Sequence, residues 1–438
     1  MPLYILAPIL IALFGLMAGV FLIFLFASED FNFLSIFYMT GLGLRIFLSF
    51  LFYFISFVFY SDTRPGYLLP MDGWLYSEQG WQICKLAEKA IAVTKENFLF
   101  NPNIYFIGHK ALSGNITSYD FFASHVYSIF DYNPLSLFFI GSVASALAAL
   151  FVYFIAKELF SKNVARIAVI FAFFWPSFIL WSTQNLKEPM IILFVAILLW
   201  SIFYIRKFPS PLFLILPSIS IWVLSKIGIF YLSIILGALF FVLLFLLLNV
   251  FFKNNVLKIL VIFLLAYVFY IFFKDKILQI LIAKGIYSQG DFKSVFEFLN
   301  FSRTVRAHGN LQFLKDADIS SVGGTISFLP VGLFYVLFSP FPWQLGSLAQ
   351  IIVIPETILY YLTFPFAIKG IVFAYKKRFN QSILLIFIIA GMLFFLALIE
   401  GNSGTLFRHR SIPFYLLFIF TSIGLSLKKW KFGIIYKC

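Results

Sequence analysis

Apolar runs of membrane-spanning length recur along the whole chain, and they constrain its fold more than any other feature. The hydrocarbon core of a bilayer is about 30 Å thick, so a helix needs roughly 20 apolar residues to cross it. About 11 runs approach or exceed this length, at 3–26, 33–60, 135–156, 164–182, 189–205, 211–225, 228–250, 256–273, 356–375, 380–399 and 411–427. They predict an all-α polytopic membrane protein, with residues 1–438 forming a single integral membrane domain.

Composition excludes the two main alternatives to a membrane protein. Hydrophobic residues make up 62% of the chain and charged residues 11%, whereas a soluble domain has about 45–50% and about 25%. A disordered chain could not carry so much apolar surface. The net charge of +14 does not indicate a nucleic-acid partner, because membrane proteins concentrate Lys and Arg in their cytoplasmic loops.

The distribution of loop charges predicts the orientation. The loop segments 157–166, 206–207, 253–258, 376–378 and 428–437 carry 14 Lys and Arg residues and only one acid, Glu158. Two long segments, 61–134 and 274–324, carry nearly balanced charges. The positive-inside rule places the first set in the cytoplasm and makes the two long segments extracytoplasmic loops. We therefore expect a multi-pass protein of the inner (cytoplasmic) membrane, with its N-terminus outside and its C-terminus in the cytoplasm.

The segment 325–355 interrupts the alternation of spans and loops. It is apolar but contains four prolines, and counting it as one span would move the basic residues 376–378 outside. A re-entrant or interfacial segment on the outer side keeps the charge rule intact. Irregular backbone at membrane depth requires protein or a water-filled cavity around it, so this segment predicts a cavity near the outer face.

Four basic residues lie at predicted outer helix ends: Lys187, Lys226, Arg408 and Arg410. Each precedes a run predicted to cross inward, and a helix N-terminus favours an anion through its dipole and its free N–H groups. Together the four residues predict a phosphate site. Alternatively, each side chain reaches separately to interfacial water or lipid headgroups.

The stretch PMDGWLYSEQGW contains the main candidate for an acid–base group. Asp72 lies there soon after the second run, beside a Pro- and Gly-containing turn and among interfacial aromatic residues. A carboxylate held at this level could act as a general base for a hydroxyl group. Asp62 and Glu78 are neighbours that could compete for that role, and a loop-capping role for Asp72 is equally consistent with the spacing.

Three further ionisable residues occupy positions where charge is costly. Arg45 lies well inside an apolar run, which predicts that it pairs with an acid or faces the cavity. Glu188 precedes Pro189, where an acid at a helix start stabilises the dipole without any catalytic role. His409 lies between two arginines.

Histidines and cysteines are scattered without the spacing of a metal site, so no cofactor is predicted.

The order of several motifs resembles a known family. The stretch 133–200 contains Asn133-Pro134, a turn at 160–166, Pro176 and the sequence LKEP at 186–189. It is similar to the central region of the dolichyl-phosphate-mannose-protein mannosyltransferase-like superfamily of GT-C glycosyltransferases (family 39-like). The D-x-x-x-Y of Asp72 and Tyr76 falls in the first long loop, and the basic tail 401–413 looks like the element preceding the last spans of such enzymes.

The resemblance implies a GT-C-like bundle and a specific reaction. A sugar would move, with inversion, from a polyprenyl-phosphate donor to a hydroxyl of a glycan, lipid or protein acceptor on the extracytoplasmic side. Asp72 would be the general base, the four basic residues would hold the donor phosphate, and Arg45, Tyr76, Glu188 and His409 would support them. Some GT-C enzymes use a divalent metal, but no motif here requires one.

Two other functions are consistent with the same residues. An oligosaccharide polymerase or ligase shares outer-face arginines, long exterior loops and a lipid-linked donor, here a pyrophosphate-linked glycan. A polysaccharide or lipid transporter belongs to a different class, and it would place charges at the bilayer midplane and carry internal repeats. The unusual charges of this chain cluster at the predicted outer interface instead.

Overall fold

The computed structural model is all-α, as predicted. It describes residues 3–60, 71–97, 116–205, 212–248, 292–307, 312–343 and 348–429, with isolated residues between 251 and 279. Within these ranges the extended pairing is limited to a single bridge between Gln312 and Asn402. The chain divides into two compact units, Met1–Ile229 and Phe230–Cys438.

The first unit is built around one buried helix. Its helices are α1 (Leu3–Phe26), α2 (Phe31–Tyr60), α3 (Met71–Asn97), α4 (Ser118–Phe130), α5 (Pro134–Leu159), α6 (Lys162–Phe174), α7 (Pro176–Ser182), α8 (Glu188–Ile205) and α9 (Leu212–Ile227). Helix α5 begins with an Asn133 cap followed by Pro134, a sequence suited to a helix start. It packs against α1, α2, α6, α7 and α8, so nearly all its residues are buried.

An ion-pair cluster joins two turns at one end of this unit. The buried carboxylate of Asp30, in the turn between α1 and α2, accepts a hydrogen bond from the Tyr153 hydroxyl at 2.6 Å. It also pairs with Lys162 at 2.8 Å and with Arg166. The turns α1–α2 and α5–α6 therefore lie at the same end of the bundle, as the predicted topology requires, and Asp30 adds an acid to that end.

The second unit contains the remaining helices. They are α10 (Ile229–Leu248), α11 (Val295–Arg306), α12 (Val322–Phe338), α13 (Leu348–Lys377), α14 (Phe379–Ile399), α15 (Ser403–His409) and α16 (Ser411–Lys429). Helices α13 and α16 form its most extensive contact. At Gly370 and Gly424 the two backbones approach so closely that a Cβ would overlap a carbonyl oxygen of the facing helix.

The proline-containing segment 325–355 is largely helical. Helix α12 continues through Pro330 to Phe338 and is followed by a cis Ser339–Pro340 bond. Helix α13 begins at Leu348, earlier than the run predicted from 356, and passes through Pro355; membrane helices tolerate such prolines when neighbours satisfy the freed carbonyl groups. The re-entrant or interfacial position of this segment stays a prediction, and 344–347 lie outside the described residues.

Seven described helices are long and apolar enough to cross a membrane, and nine spans result if two bent helix pairs each count as one. The bends are 52° between α6 and α7 and 55° between α15 and α16. Helices α9 and α12 are apolar but shorter. Most of the run 256–273 lies outside the described residues. Parts of the loops 61–134 and 274–324 also lie outside them. The multi-pass membrane class is confirmed.

Candidate functional site

Asp72 and Tyr76 lie one turn apart at the start of α3. Asp72 is in the first turn and partly buried, where the helix dipole stabilises a carboxylate. The ring of Tyr76 packs edge-on against Tyr119 of α4, with 5.0 Å between the ring centroids. The beginning of α3 therefore rests on α4 and is not an isolated surface helix.

A buried hydrogen-bond network connects this helix start to the loop before α8. The side-chain amide of Asn185 donates to the carbonyl oxygen of Gly73 at 2.9 Å. The Tyr119 hydroxyl contacts the Asn185 amide oxygen at 3.0 Å and the Leu186 carbonyl oxygen at 3.3 Å. These bonds fix the residue next to Asp72 against the residues next to Lys187, so the structure brings the two predicted site regions together.

The loop preceding α8 is buried although it is not helical. Its four residues Thr183–Leu186 are all at most 1% exposed, while Lys187 is partly exposed and Glu188 is buried at the start of α8. Gly141 of α5 permits this packing, because a Cβ there would lie 3.0 Å from the Ser182 carbonyl oxygen. The buried amide group of Gln184 has no hydrogen-bond partner among the described residues, so it retains polar capacity at this site.

Asp120 is a site residue that was not predicted from the sequence. It caps α4 by accepting hydrogen bonds from the backbone N–H and the hydroxyl of Thr117. Its second oxygen has no partner in the described part of the chain. Burial raises the pKa of Asp120, while the Thr117 bonds and the charge of Lys187 act in the opposite direction. The T-x-x-D spacing could have indicated the helix cap, but not the proximity to Lys187.

Arg45 fills the break between α6 and α7. Its guanidinium donates to the carbonyl oxygens of Ala172 at 3.3 Å and Phe173 at 2.9 Å, and to Gly41 and two serine hydroxyls. Pro176 has no N–H group, so the Ala172 carbonyl lacks its usual helical donor. Arg45 thus stabilises the end of a broken helix, and its supporting role at a catalytic site stays a prediction.

Replacing Arg45 by Met should destabilise the protein by about 2 kcal/mol or more, because each buried carbonyl left without a donor costs about 1–3 kcal/mol. The measurement is thermal unfolding in detergent. Lys85→Met is the control, since Lys85 is an exposed residue paired with Glu88, and such surface pairs contribute about 0–1 kcal/mol. Equal melting temperatures for the two variants would contradict this role of Arg45.

Lys226 precedes the start of α10, as predicted, but it belongs to the preceding helix. It lies in the last turn of α9 and is exposed, where the dipole at a helix C-terminus favours a cation. The following break at Gly228 separates it from α10. Its phosphate-binding role stays a prediction, but its position has a sufficient structural explanation.

In the second unit, Arg408 and His409 belong to a charged cluster around Glu400. The buried Glu400 carboxylate lies 2.8 Å from Nδ1 of His409 and 3.6 Å from a guanidinium nitrogen of Arg306. Arg408 contacts the other ring nitrogen of His409 at 3.4 Å. Burial acts to raise the pKa of Glu400, but His409, Arg306 and Arg408 lower it below its usual value. Neither Glu400 nor Arg306 was predicted from the sequence.

Arg410 is directed toward different partners from Arg408. Its Nη1 donates to the carbonyl oxygens of Val336, at 3.3 Å, and Ser339 at the end of α12. Its guanidinium also lies over the rings of Phe407 and Phe414, at 4.5 and 5.1 Å. Arg410 therefore holds the end of α12 at the bend between α15 and α16. Its predicted phosphate contact is untested.

Residues 118–273, a little over a third of the chain, match the family model described as dolichyl-phosphate-mannose-protein mannosyltransferase. This match confirms the resemblance found in the sequence and supports a membrane glycosyltransferase of the GT-C type. Lys187, Glu188 and Lys226 lie inside the matched region, whereas Asp72 and Arg408 lie outside it. Searches of curated proteins and of solved structures found no match.

No group of three or more metal-binding side chains occurs in the part of the chain that the structure describes. The Asp72 side of the first unit combines a partly buried carboxylate with a partly exposed ammonium group beyond the Asn185 network. This arrangement can accept a proton and stabilise a nearby anion.

Proposed function

We propose that this chain transfers a sugar from a polyprenyl-phosphate donor to an acceptor hydroxyl at the extracytoplasmic face of the inner membrane. The observation that carries the proposal is the Asn185 network, which joins the start of α3, with Asp72, to the loop that ends in Lys187. That loop lies within the region matched by the mannosyltransferase family model. Acid–base and phosphate chemistry require these two residue types at one place.

Asp72 is the general base in this proposal. Its carboxylate accepts the proton of the acceptor hydroxyl as the hydroxyl oxygen attacks the anomeric carbon. A new bond forms between that oxygen and the anomeric carbon, and the bond from the anomeric carbon to the phosphate oxygen breaks on the opposite face. The bonding electron pair leaves with the polyprenyl phosphate, and the configuration inverts. A positioned base typically contributes about 10²–10⁴-fold to such a step.

Lys187 is the proposed phosphate ligand of the first unit. Negative charge grows on the phosphate as the sugar leaves, and a fixed cation stabilises that charge more in the transition state than in the ground state. Lys187 is partly exposed and immediately precedes α8, so its ammonium group can reach a ligand. The charge of Lys187 acts on the carboxyl group of Asp120, so the two side chains belong to the same site region. For Arg408 and Arg410, phosphate binding remains a proposal based on the sequence.

Lys187→Gln should raise the KM for the lipid-linked donor by roughly 10-fold or more, since a hydrogen bond to a charged group contributes about 1.5–3 kcal/mol. The KM for the acceptor should change little. Lys85→Gln is the matched control in the same unit, because Lys85 is exposed and paired with Glu88, and it should change either constant less than about 2-fold. An equal rise in both KM values for Lys187→Gln would argue against the phosphate role.

A further inference from the structure

Arg303 is a fully buried arginine in the second unit, and the proposed function assigns it no role. It lies on the inner face of α11, a 12-residue amphipathic helix, and is 0% exposed. Its Nη2 donates to the Phe313 carbonyl oxygen at 3.0 Å. Its guanidinium lies over the ring of Phe328 at 4.6 Å. An apolar wall therefore surrounds a group that remains charged at every physiological pH.

Two nitrogens of this guanidinium have no hydrogen-bond partner among the residues that the structure describes. Nε and Nη1 of Arg303 are closed off from solvent, and no acceptor among the described residues contacts them. Burying an unpaired charge costs several kcal/mol, and buried polar groups are almost always satisfied by protein, water or a bound ion. Nε and Nη1 of Arg303 therefore need an additional hydrogen-bond acceptor.

The immediate surroundings of Arg303 carry an excess of positive charge. The backbone at Gly401 packs directly against α11, so that a Cβ there would lie 2.7 Å from the Arg303 carbonyl oxygen. Next to it, the single carboxylate of Glu400 is shared by Arg306 and His409. Arg408 adds a third guanidinium beyond His409. The Glu400 carboxylate beside α11 thus carries Arg306, His409 and Arg408 around it, and this neighbouring cluster is complementary to a ligand of negative charge.

We propose that Arg303 anchors an oxyanion site in the second unit, and that the site binds the phosphate group of a membrane lipid. The guanidinium supplies N–H donors in a planar arrangement that suits phosphate oxygens. Phe328 and Phe313 provide an apolar wall for the carbon atoms adjoining the phosphate.

The phosphate has two chemical sources. One is a polyprenyl phosphate, which rests on the proposed function; the other is the headgroup of an anionic phospholipid, which does not. If a water molecule were the acceptor for Arg303, the protein would bind neither lipid more tightly than its phosphate-free counterpart. The site is therefore defined by its dependence on the phosphate group and on Arg303, and no measurement of sugar transfer is required.

The test is lipid binding to the full chain in detergent, measured by native mass spectrometry. The probes are polyprenyl phosphate and phosphatidylglycerol, with polyprenol and diacylglycerol as phosphate-free counterparts. Arg303→Met should weaken binding of at least one phosphate lipid by roughly 10-fold or more, as expected for the loss of charged hydrogen bonds. If only the binding of polyprenyl phosphate weakens, polyprenyl phosphate is the ligand. If the binding of phosphatidylglycerol weakens, the ligand is the headgroup of an anionic phospholipid.

Arg378→Met is the matched control, because Arg378 is an exposed arginine at the start of α14 and should leave both affinities unchanged. Arg303→Met should also melt close to the wild-type temperature without lipid, since removing an unpaired buried charge offsets the loss of the donor to the Phe313 carbonyl. If that variant does not fold, wild-type melting decides: polyprenyl phosphate or phosphatidylglycerol should stabilise the protein more than its phosphate-free counterpart. Unchanged affinities in Arg303→Met, or equal stabilisation by each lipid and its counterpart, would overturn the proposal.

Discussion

Asp72→Asn should abolish sugar transfer, lowering kcat by roughly 10²–10⁴-fold, while the protein folds normally. Asn has the shape of Asp but cannot take a proton from the acceptor hydroxyl. Asp72 lies in the first turn of α3 and is only partly buried, so losing its charge weakens the helix dipole interaction by at most about 1 kcal/mol. The measurement is single-turnover transfer with donor and acceptor at saturation, together with the melting temperature.

Two glutamates on the same helix make this experiment specific. Glu88→Gln is the control, because Glu88 is exposed and paired with Lys85, and it should retain wild-type activity. Glu78 lies closer to Asp72 and is partly buried, with a hydrogen bond from Gln82, which makes Glu78→Gln the direct test of the competing base. Full activity in Asp72→Asn together with loss of activity in Glu78→Gln would transfer the role to Glu78.

The helical class could be predicted from the sequence because a bilayer leaves few alternatives. A chain with long apolar runs must satisfy its backbone hydrogen bonds within each segment, so length and hydropathy alone indicate spanning helices. The same argument located Lys187 just before a helix, whereas Asp72 was predicted beside a turn and lies in the first turn of α3. It could not show that Asn185 joins these two regions, because that bond depends on how α3 and α4 pack, and the sequence spacing does not encode it.

Arg45 and Arg303 illustrate the limits of inference from charge. An arginine inside an apolar run predicted an acidic partner or a cavity, which stays a prediction. The structure adds that Arg45 donates to hydroxyls and carbonyl oxygens at the Pro176 break. The sequence shows Pro176, which has no N–H group. It does not show that Arg45 of α2 donates to the carbonyl oxygen left without that group. Arg303 lies in a polar loop, where the sequence indicates a solvated charge, and only the packing of α11 shows that it is buried.

The two arginines at the α15–α16 bend show a similar effect of local backbone. A spacing of two would splay Arg408 and Arg410 on a regular helix, and an irregular backbone at Gly401 and Gly404 was expected to direct both to one phosphate. The bend directs Arg410 to carbonyl groups at the end of α12, whereas Arg408 meets His409. A cation that already satisfies backbone carbonyls has fewer donors left for a ligand. Among the predicted phosphate contacts of this unit, Arg408 is therefore the better choice for mutagenesis.

Gly370→Ala should destabilise the protein by more than about 3 kcal/mol, the upper end of the usual cost of overpacking. Gly370 lies in α13, where a Cβ would overlap the carbonyl oxygen of Phe420 in α16. Backbone atoms cannot rotate away as a flexible side chain could, so the two helices must separate. Gly424→Ala should have a comparable effect, because its Cβ would overlap the carbonyl oxygen of Phe366.

Gly237→Ala is the matched control for this packing argument. Gly237 lies in the interior of α10, and a Cβ added there would meet no described atom within 4 Å, so Ala should stabilise that helix by about 0.5–1 kcal/mol. The measurement is thermal unfolding of all three variants in the same detergent. Close backbone contact through glycine stabilises helix pairs in lipid, where no hydrophobic force draws the helices together. A Gly370→Ala protein that melts like Gly237→Ala would show that α13 and α16 do not depend on this contact.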